Sequence, residues 1–150
     1  MPQSFGSIQV HLVFSTKNRE PWIAPAIAER LYDYLGGTLR GNNCSSIAIG
    51  GIADHIHLLV SMSREFSASQ LIRVLKSNSS RWIHDTFPTM AGFAWQSGYG
   101  AFSVSYSQIE VVKAYILNQE QHHKKQTFRD EFLALLEAHR LEWDERYVWN

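Results

Sequence analysis

The segment DHIHLLV at positions 54–60 carries the pattern that decides the fold. Side chains two positions apart on a strand point to the same face, so His55 and His57 would present two imidazoles together. The other face would be apolar and would turn towards a core; it consists of Ile56, Leu58 and Val60. Neutral imidazole is a common metal ligand, so the segment predicts half of a metal site. Two core histidines with satisfied hydrogen bonds are the alternative, because two ligands alone do not make a site.

Periodicity on either side of this segment predicts the element order β-α-β-β-α-β-α-α. Prolines, glycines and capping residues mark the boundaries. The predicted elements are strand 6–16, a helix that Pro25 opens and Gly41 ends, strands 47–52 and 55–62, helix 68–86 capped by Ser67, strand 94–106 with a kink near its glycines, helix 107–125 opened by a capping box at Ser107, and a last helix after Thr127. A strand, a crossover helix and two nearby strands are typical of a ferredoxin-like α+β sheet.

Length and composition predict a single globular domain over residues 1–150. Hydrophobic residues make up 45% of the chain and charged residues 19%, a composition that argues against disorder. The sequence has no apolar run long enough to span a membrane, and its first residues do not resemble a signal peptide. Cys44 is the only cysteine, so an internal disulfide is excluded and we expect a cytoplasmic protein.

The formal net charge is zero, which is unusual for a protein that binds nucleic acid. Several basic residues are nevertheless close together in the sequence. Candidates for phosphate contacts are Lys17, Arg19, Arg73, Lys76 and Arg81. Ordinary solvated surface charge is the alternative for each of them.

The predicted helix 107–125 carries a second pair of polar side chains. Tyr115 and Gln119 are one turn apart, so a phenol and a carboxamide would project together from one edge of the helix. Gln119 could supply the oxygen ligand missing from the His55 and His57 pair, which would make Tyr115 a candidate nucleophile. The alternative is a tyrosine at the boundary of the core.

The chemistry of such a group is coherent. A phenol ionises near pH 10 and attacks phosphorus poorly unaided. A divalent cation on the scissile phosphate would polarise the P–O bonds and stabilise the transition state. Attack by Tyr115 would give a covalent phosphotyrosine and release a hydroxyl, and the link would retain the energy needed to rejoin a strand.

Four stretches of the chain together resemble the single-tyrosine HUH transposases of the IS200/IS605 type, which include the REP-associated tyrosine transposases. These stretches are HLVFSTK at 11–17, DHIHLLV at 54–60, WQSGYGAFSV at 95–104 and YILNQ at 115–119. The resemblance implies a ferredoxin-like, RRM-like antiparallel sheet with helices packed on it.

The resemblance also implies a site and a substrate. Mg²⁺ or Mn²⁺ would be held by His55, His57 and Gln119, with Tyr115 as the nucleophile. The substrate would be single-stranded DNA beside a hairpin, cleaved to a 5′-phosphotyrosine and a free 3′-OH. We expect a homodimer, as in insertion-sequence members, with a monomer as the alternative, and the tyrosine could act in its own chain or in its partner's.

Supporting residues and competing functions stay open. Asp54 could orient a ligand histidine or form a turn, and His122 could reach the metal or simply end a helix. Aromatic residues that could stack unpaired bases are Trp95, Tyr99 and Phe102, two of which we expect in the core. A domesticated module that binds hairpins without cutting is the main alternative function. A zinc hydrolase built on His55, His57 and His122 is a third, although it lacks an obvious carboxylate base.

Overall fold

The computed structural model describes residues 3–150 and contains a four-stranded antiparallel sheet of order β2-β3-β1-β4. Its strands are β1 (Gln9–Ser15), β2 (Ser45–Ile52), β3 (His55–Ser61) and β4 (Gly100–Val104). Its α-helices are α1 (Pro25–Gly41), α2 (Ala68–Thr86), α3 (Ile109–Leu117), α4 (Gln119–His122) and α5 (Phe128–Ala138). This topology confirms the predicted ferredoxin-like α+β fold.

One face of the sheet packs on α1 and α2 to form the main core. The alternating apolar residues of β3 and β1 point into it, as the period of two requires. Fully buried members include Leu12, Phe14, Ile56, Leu58 and Val60. Helix α1 contributes a stripe with a four-residue spacing, Leu31, Leu35 and Leu39.

The opposite face of the sheet is covered by α3, α4 and α5. The aromatic side chains of α5, Phe128 and Phe132, pack with Val13 and Phe102, and Trp149 of the tail packs against this cluster. Ile116 of α3 lies against Leu59. Because His55 and His57 point to this second face, they lie beneath helices from the last third of the chain.

Several predicted boundaries are correct. Ser67 forms a capping box with Gln70 at the start of α2. Thr127 accepts a hydrogen bond from the backbone amide of Asp130 at the start of α5. Pro25 is the first residue of α1.

Two predicted elements differ from the structure. Strand 94–106 shortens to β4, and Trp95 only bridges Thr16 ahead of the glycines. Helix 107–125 is divided into α3 and α4, because Asn118 leaves helical geometry at φ −107° and ψ 25°. The capping box at Ser107 is absent: its hydroxyl bonds to Ser105, and a turn of 3₁₀-helix precedes α3. Within residues 3–150, no helix is long and apolar enough to cross a membrane.

Candidate active site and metal centre

Strand β3 brings His55 and His57 to one face, as the alternation predicts. Both side chains are 0% exposed, and their ring centroids are 5.1 Å apart. The two imidazoles are not in the apolar core. They lie in a polar cluster between the sheet and the helices that cover its second face.

Gln119 meets this cluster from α4. Its Oε1 atom lies 3.1 Å from Nε2 of His55, and its side chain is 1% exposed. Its Nε2 group donates to the backbone carbonyl of Tyr115, 3.3 Å away. The structure therefore brings two of the predicted ligands, Gln119 and His55, into contact.

The group that completes the cluster is Glu131 of α5, which the sequence analysis did not single out. Its Oε1 atom accepts a hydrogen bond from Nε2 of His57 at 2.9 Å and lies 3.3 Å from Nε2 of His55. The side chain is only 2% exposed. A buried carboxylate is costly unless it is paired, and two imidazoles satisfy this requirement here.

Tyr115 reaches the same carboxylate from α3. Its hydroxyl donates a hydrogen bond to Oε2 of Glu131. Its ring meets those of His57 and His122 edge-on, with centroids 5.7 Å and 4.6 Å away. The predicted nucleophile and the predicted ligands thus belong to one cluster within a single chain.

Two further residues orient the histidines. Oδ1 of Asp54 accepts from Nδ1 of His55 at 2.7 Å, which is the contact that an orienting role for Asp54 requires. Nδ1 of His57 accepts from Nε2 of His11 at 2.7 Å. In each case the hydrogen bond at Nδ1 leaves Nε2 turned towards Glu131.

The environment sets the protonation state of the cluster. Burial alone would lower the pKa of His55, but the carboxylates of Asp54 and Glu131 raise it to about 8. Burial lowers the pKa of His57, and burial with Glu131 raises the pKa of Tyr115. Burial opposes the ionisation of Glu131, yet hydrogen bonds from His55 and His57 hold its pKa well below the usual range. Ionised Glu131 is the form in which a carboxylate binds a metal, and each imidazole would bind one through Nε2 on giving up the proton there.

The donor set fits a divalent cation. Among the described residues, His55, His57 and Glu131 form a group whose ligand atoms all lie within 4.8 Å of one another. Two ligands at right angles about Mg²⁺ or Mn²⁺ are separated by about 3 Å, for a metal–ligand distance of about 2.1 Å. The contacts of 2.9–3.3 Å from Glu131 and the 3.1 Å contact from Gln119 have this spacing. Imidazole nitrogen and carboxylate oxygen are both common ligands of divalent metal ions.

The sequence of the chain also identifies its family. Residues 4–119 match the model of the family described as "Transposase IS200 like". The chain belongs to the IS200-like transposase family. The match includes His55, His57, Tyr115 and Gln119, whereas α5 and Glu131 lie beyond it.

Known proteins resemble this chain in sequence, in fold or in both. The ISDra2 transposase TnpA of Deinococcus radiodurans is 25% identical over 123 residues, which are 79% of this chain and 86% of that protein. A crystal structure of a protein assigned as a transposase from D. radiodurans R1 is 25% identical with a TM-score of 0.64, and covers 79% of this chain and 98% of that one. A REP-associated tyrosine transposase bound to a REP hairpin shares the fold at a TM-score of 0.56 and 13% identity, over 77% and 68% of the two chains.

The histidine of this IS200-like transposase that approaches the centre is His123, which directly follows α4, and not His122. Nε2 of His123 lies 3.0 Å from Oε1 of Gln119 and 3.3 Å from Oε2 of Glu131. His122 instead packs on the ring of Tyr115. His123 follows Gln119 by one helical turn, so the two side chains share a face. The zinc hydrolase hypothesis therefore loses His122 as its third ligand.

Glu131 was missed although a signal was present. Its position falls on the apolar stripe of α5, between Phe128 and Leu135 at helical spacing. A charge on a buried stripe requires a partner, but the sequence alone does not say which residue supplies it.

The basic candidates of this transposase have different environments. The ammonium group of Lys76 donates to the carbonyls of Gln96 and Gly98 at 2.8 Å and 2.7 Å. It therefore holds the segment that precedes β4 against α2. Arg19 lies over the ring of Trp149. Exposed candidates are Lys17, Arg73 and Arg81. Of the aromatic candidates, Trp95 and Phe102 are buried and Tyr99 is exposed, as expected.

Proposed function

We propose that this transposase cleaves and rejoins single-stranded DNA beside hairpins through a 5′-phosphotyrosine on Tyr115. The observation that supports this most is the position of the Tyr115 hydroxyl. It is held in the same polar cluster as two imidazoles, a carboxamide and a carboxylate. A purely structural tyrosine does not require such a set of metal-binding groups beside its hydroxyl.

The residues have distinct tasks in this reaction. The phenolic oxygen of Tyr115 attacks the phosphorus, the P–O bond to the 3′ oxygen breaks, and a 5′-phosphotyrosine and a 3′-OH result. The proton lost by the phenol balances the proton that the 3′ oxygen takes up. Reversal of the same exchange, with a different 3′-OH, rejoins DNA without a nucleotide cofactor.

The metal would be Mg²⁺ or Mn²⁺, held by His55, His57, Gln119 and Glu131. A bound divalent cation supplies Lewis acidity that polarises the phosphate. Asp54 and His11 keep the imidazoles oriented through their hydrogen bonds at Nδ1. A cavity of about 430 Å³ lies against Tyr115 and His11, and it offers DNA a path to the hydroxyl from the β4 side of the sheet.

A second candidate is a domesticated module that binds nucleic-acid hairpins without cutting. One observation favours it: the imidazoles of His55 and His57 are completely buried, and Oε1 of Glu131 contacts the Nε2 atom of each ring. Under this function α5 would keep the centre closed while an outer surface grips the hairpin.

Incubation with hairpin oligonucleotides separates the two candidates. Oligonucleotides with randomised single-stranded flanks are mixed with the protein and Mn²⁺, and covalent adducts are detected on denaturing gels and by mass spectrometry. We expect an adduct on Tyr115 that Tyr115→Phe abolishes, whereas Tyr147→Phe, at a tyrosine that is 63% exposed, keeps it. Binding without an adduct across the library would favour the module. An adduct that survives in Tyr115→Phe would assign the nucleophile to another residue.

A further inference from the structure

We propose that Glu131 is a positioning residue that holds the Tyr115 hydroxyl against the metal centre of its own chain. The inference rests on the proposed function and deepens it. It concerns a residue beyond the family match, which ends at residue 119.

The two oxygens of Glu131 face different partners. Oε1 lies 2.9 Å from Nε2 of His57 and 3.3 Å from Nε2 of His55. Oε2 accepts from the Tyr115 hydroxyl and lies 3.3 Å from Nε2 of His123. One carboxylate therefore bridges the candidate ligands and the candidate nucleophile, with one oxygen on the imidazoles and the other on the Tyr115 hydroxyl.

The position of this carboxylate is itself rigid. The ring of Phe128 stacks on His55 with centroids 4.3 Å apart, and Phe132 packs in the cluster that contains Val13 and Phe102. Helix α5 is thus docked on the sheet on both sides of Glu131. A side chain on a packed helix positions its partner more accurately than one on a loop.

Tyr115 depends on such a constraint because the neighbouring rings contact only its ring. His57 and His122 meet the ring edge-on, and these ring contacts include no hydrogen bond to the phenolic oxygen. The hydrogen bond to Glu131 restrains that oxygen and sets the direction of its O–H bond. All members of the cluster belong to one chain, so a single copy holds a complete set of ligands and a nucleophile.

A fluorine label tests the hydrogen bond without relying on activity. 3-Fluorotyrosine is placed at position 115, and ¹⁹F spectra are recorded for the metal-free full chain. We expect Glu131→Ala to move the resonance towards that of a solvent-exposed fluorotyrosine, with Glu131→Gln in between. Glu137→Ala, an exposed glutamate on the same helix, should leave it in place. A resonance unchanged in Glu131→Ala, in a variant that circular dichroism shows to be folded, would overturn the proposal.

Paramagnetic Mn²⁺ tests whether the tyrosine serves its own chain. Labelled protein should lose its ¹⁹F signal when Mn²⁺ binds. Labelled His57→Ala protein mixed with unlabelled wild type should keep a sharp signal, because its own metal centre is disabled. Loss of that signal would place the tyrosine at a partner's metal and would contradict the proposal.

Cleavage gives a third readout. At an Mn²⁺ concentration that saturates the metal centre of the variant, we expect Glu131→Ala to lower kcat for adduct formation about 100-fold through misplacement of the hydroxyl, with KM for the hairpin unchanged. Faster cleavage would show that Glu131 obstructs the centre and would overturn the proposal. Absence of cleavage by the wild type would refute the proposed function but leave the fluorine result, and so the positioning role, to be judged separately.

Discussion

Gly50 of β2 lies directly beneath the backbone carbonyl of Ile116 in α3. A Cβ atom at position 50 would collide with that carbonyl oxygen. The missing side chain is what lets α3 approach the sheet, and α3 carries Tyr115 one residue before this contact. The absence of a side chain at position 50 therefore determines how closely α3, and with it Tyr115, approaches the sheet.

Gly50→Ala should lower the free energy of unfolding by about 1–3 kcal/mol, as overpacking of a close contact does. Adduct formation should also fall, because α3 must move outwards. Gly41→Ala is the matched control, since nothing lies within 4 Å of a Cβ there and alanine favours the helix. Urea denaturation measures both variants, and equal stabilities would refute the close-approach explanation.

His57→Ala should weaken Mn²⁺ binding by more than about 100-fold, because a direct ligand matters more than the residues that orient it. Isothermal titration calorimetry measures this directly. His84→Gln serves as control, since His84 is an exposed residue of α2 whose ring bonds to the carbonyl of Phe93. If His57→Ala bound Mn²⁺ like the wild type, the centre would have to be elsewhere.

Gln119→Ala should weaken Mn²⁺ binding about tenfold, with Gln121→Ala unchanged. Gln119 is buried beside His55, whereas Gln121 is exposed on the same short helix. Titration of both variants compares one amide oxygen at the centre with one outside it. Unchanged affinity in Gln119→Ala would leave His55, His57 and Glu131 as the complete set of protein ligands.

Lys76→Met should destabilise the fold by about 1.5–3 kcal/mol, the range for hydrogen bonds to charged groups. Its ammonium group is bonded to the carbonyls of residues 96 and 98. Arg73→Met, exposed on the same helix, should change stability by less than about 0.5 kcal/mol. It should instead weaken hairpin binding and reduce its salt dependence. A Lys76→Met protein of normal stability but weak DNA binding would restore the phosphate role predicted for Lys76.

Some features of the candidate site could be predicted from the local sequence. Alternation along a strand is local, so the shared face of His55 and His57 followed from their spacing alone. The same holds for the one-turn spacing of Tyr115 and Gln119, although the break at Asn118 separates them into two helices.

Contacts between distant elements depended on how the helices dock. Glu131 is 74 positions from His57 and meets it only because α5 packs across the second face of the sheet. His11 reaches His57 through the pairing of β1 with β3. Local periodicity assigns a residue to a face, but the register of strands and the packing of helices decide which faces meet. The sequence by itself therefore determined the fold, the shared face of His55 and His57 and the one-turn spacing of Tyr115 and Gln119. The tertiary structure decided which carboxylate lies between them.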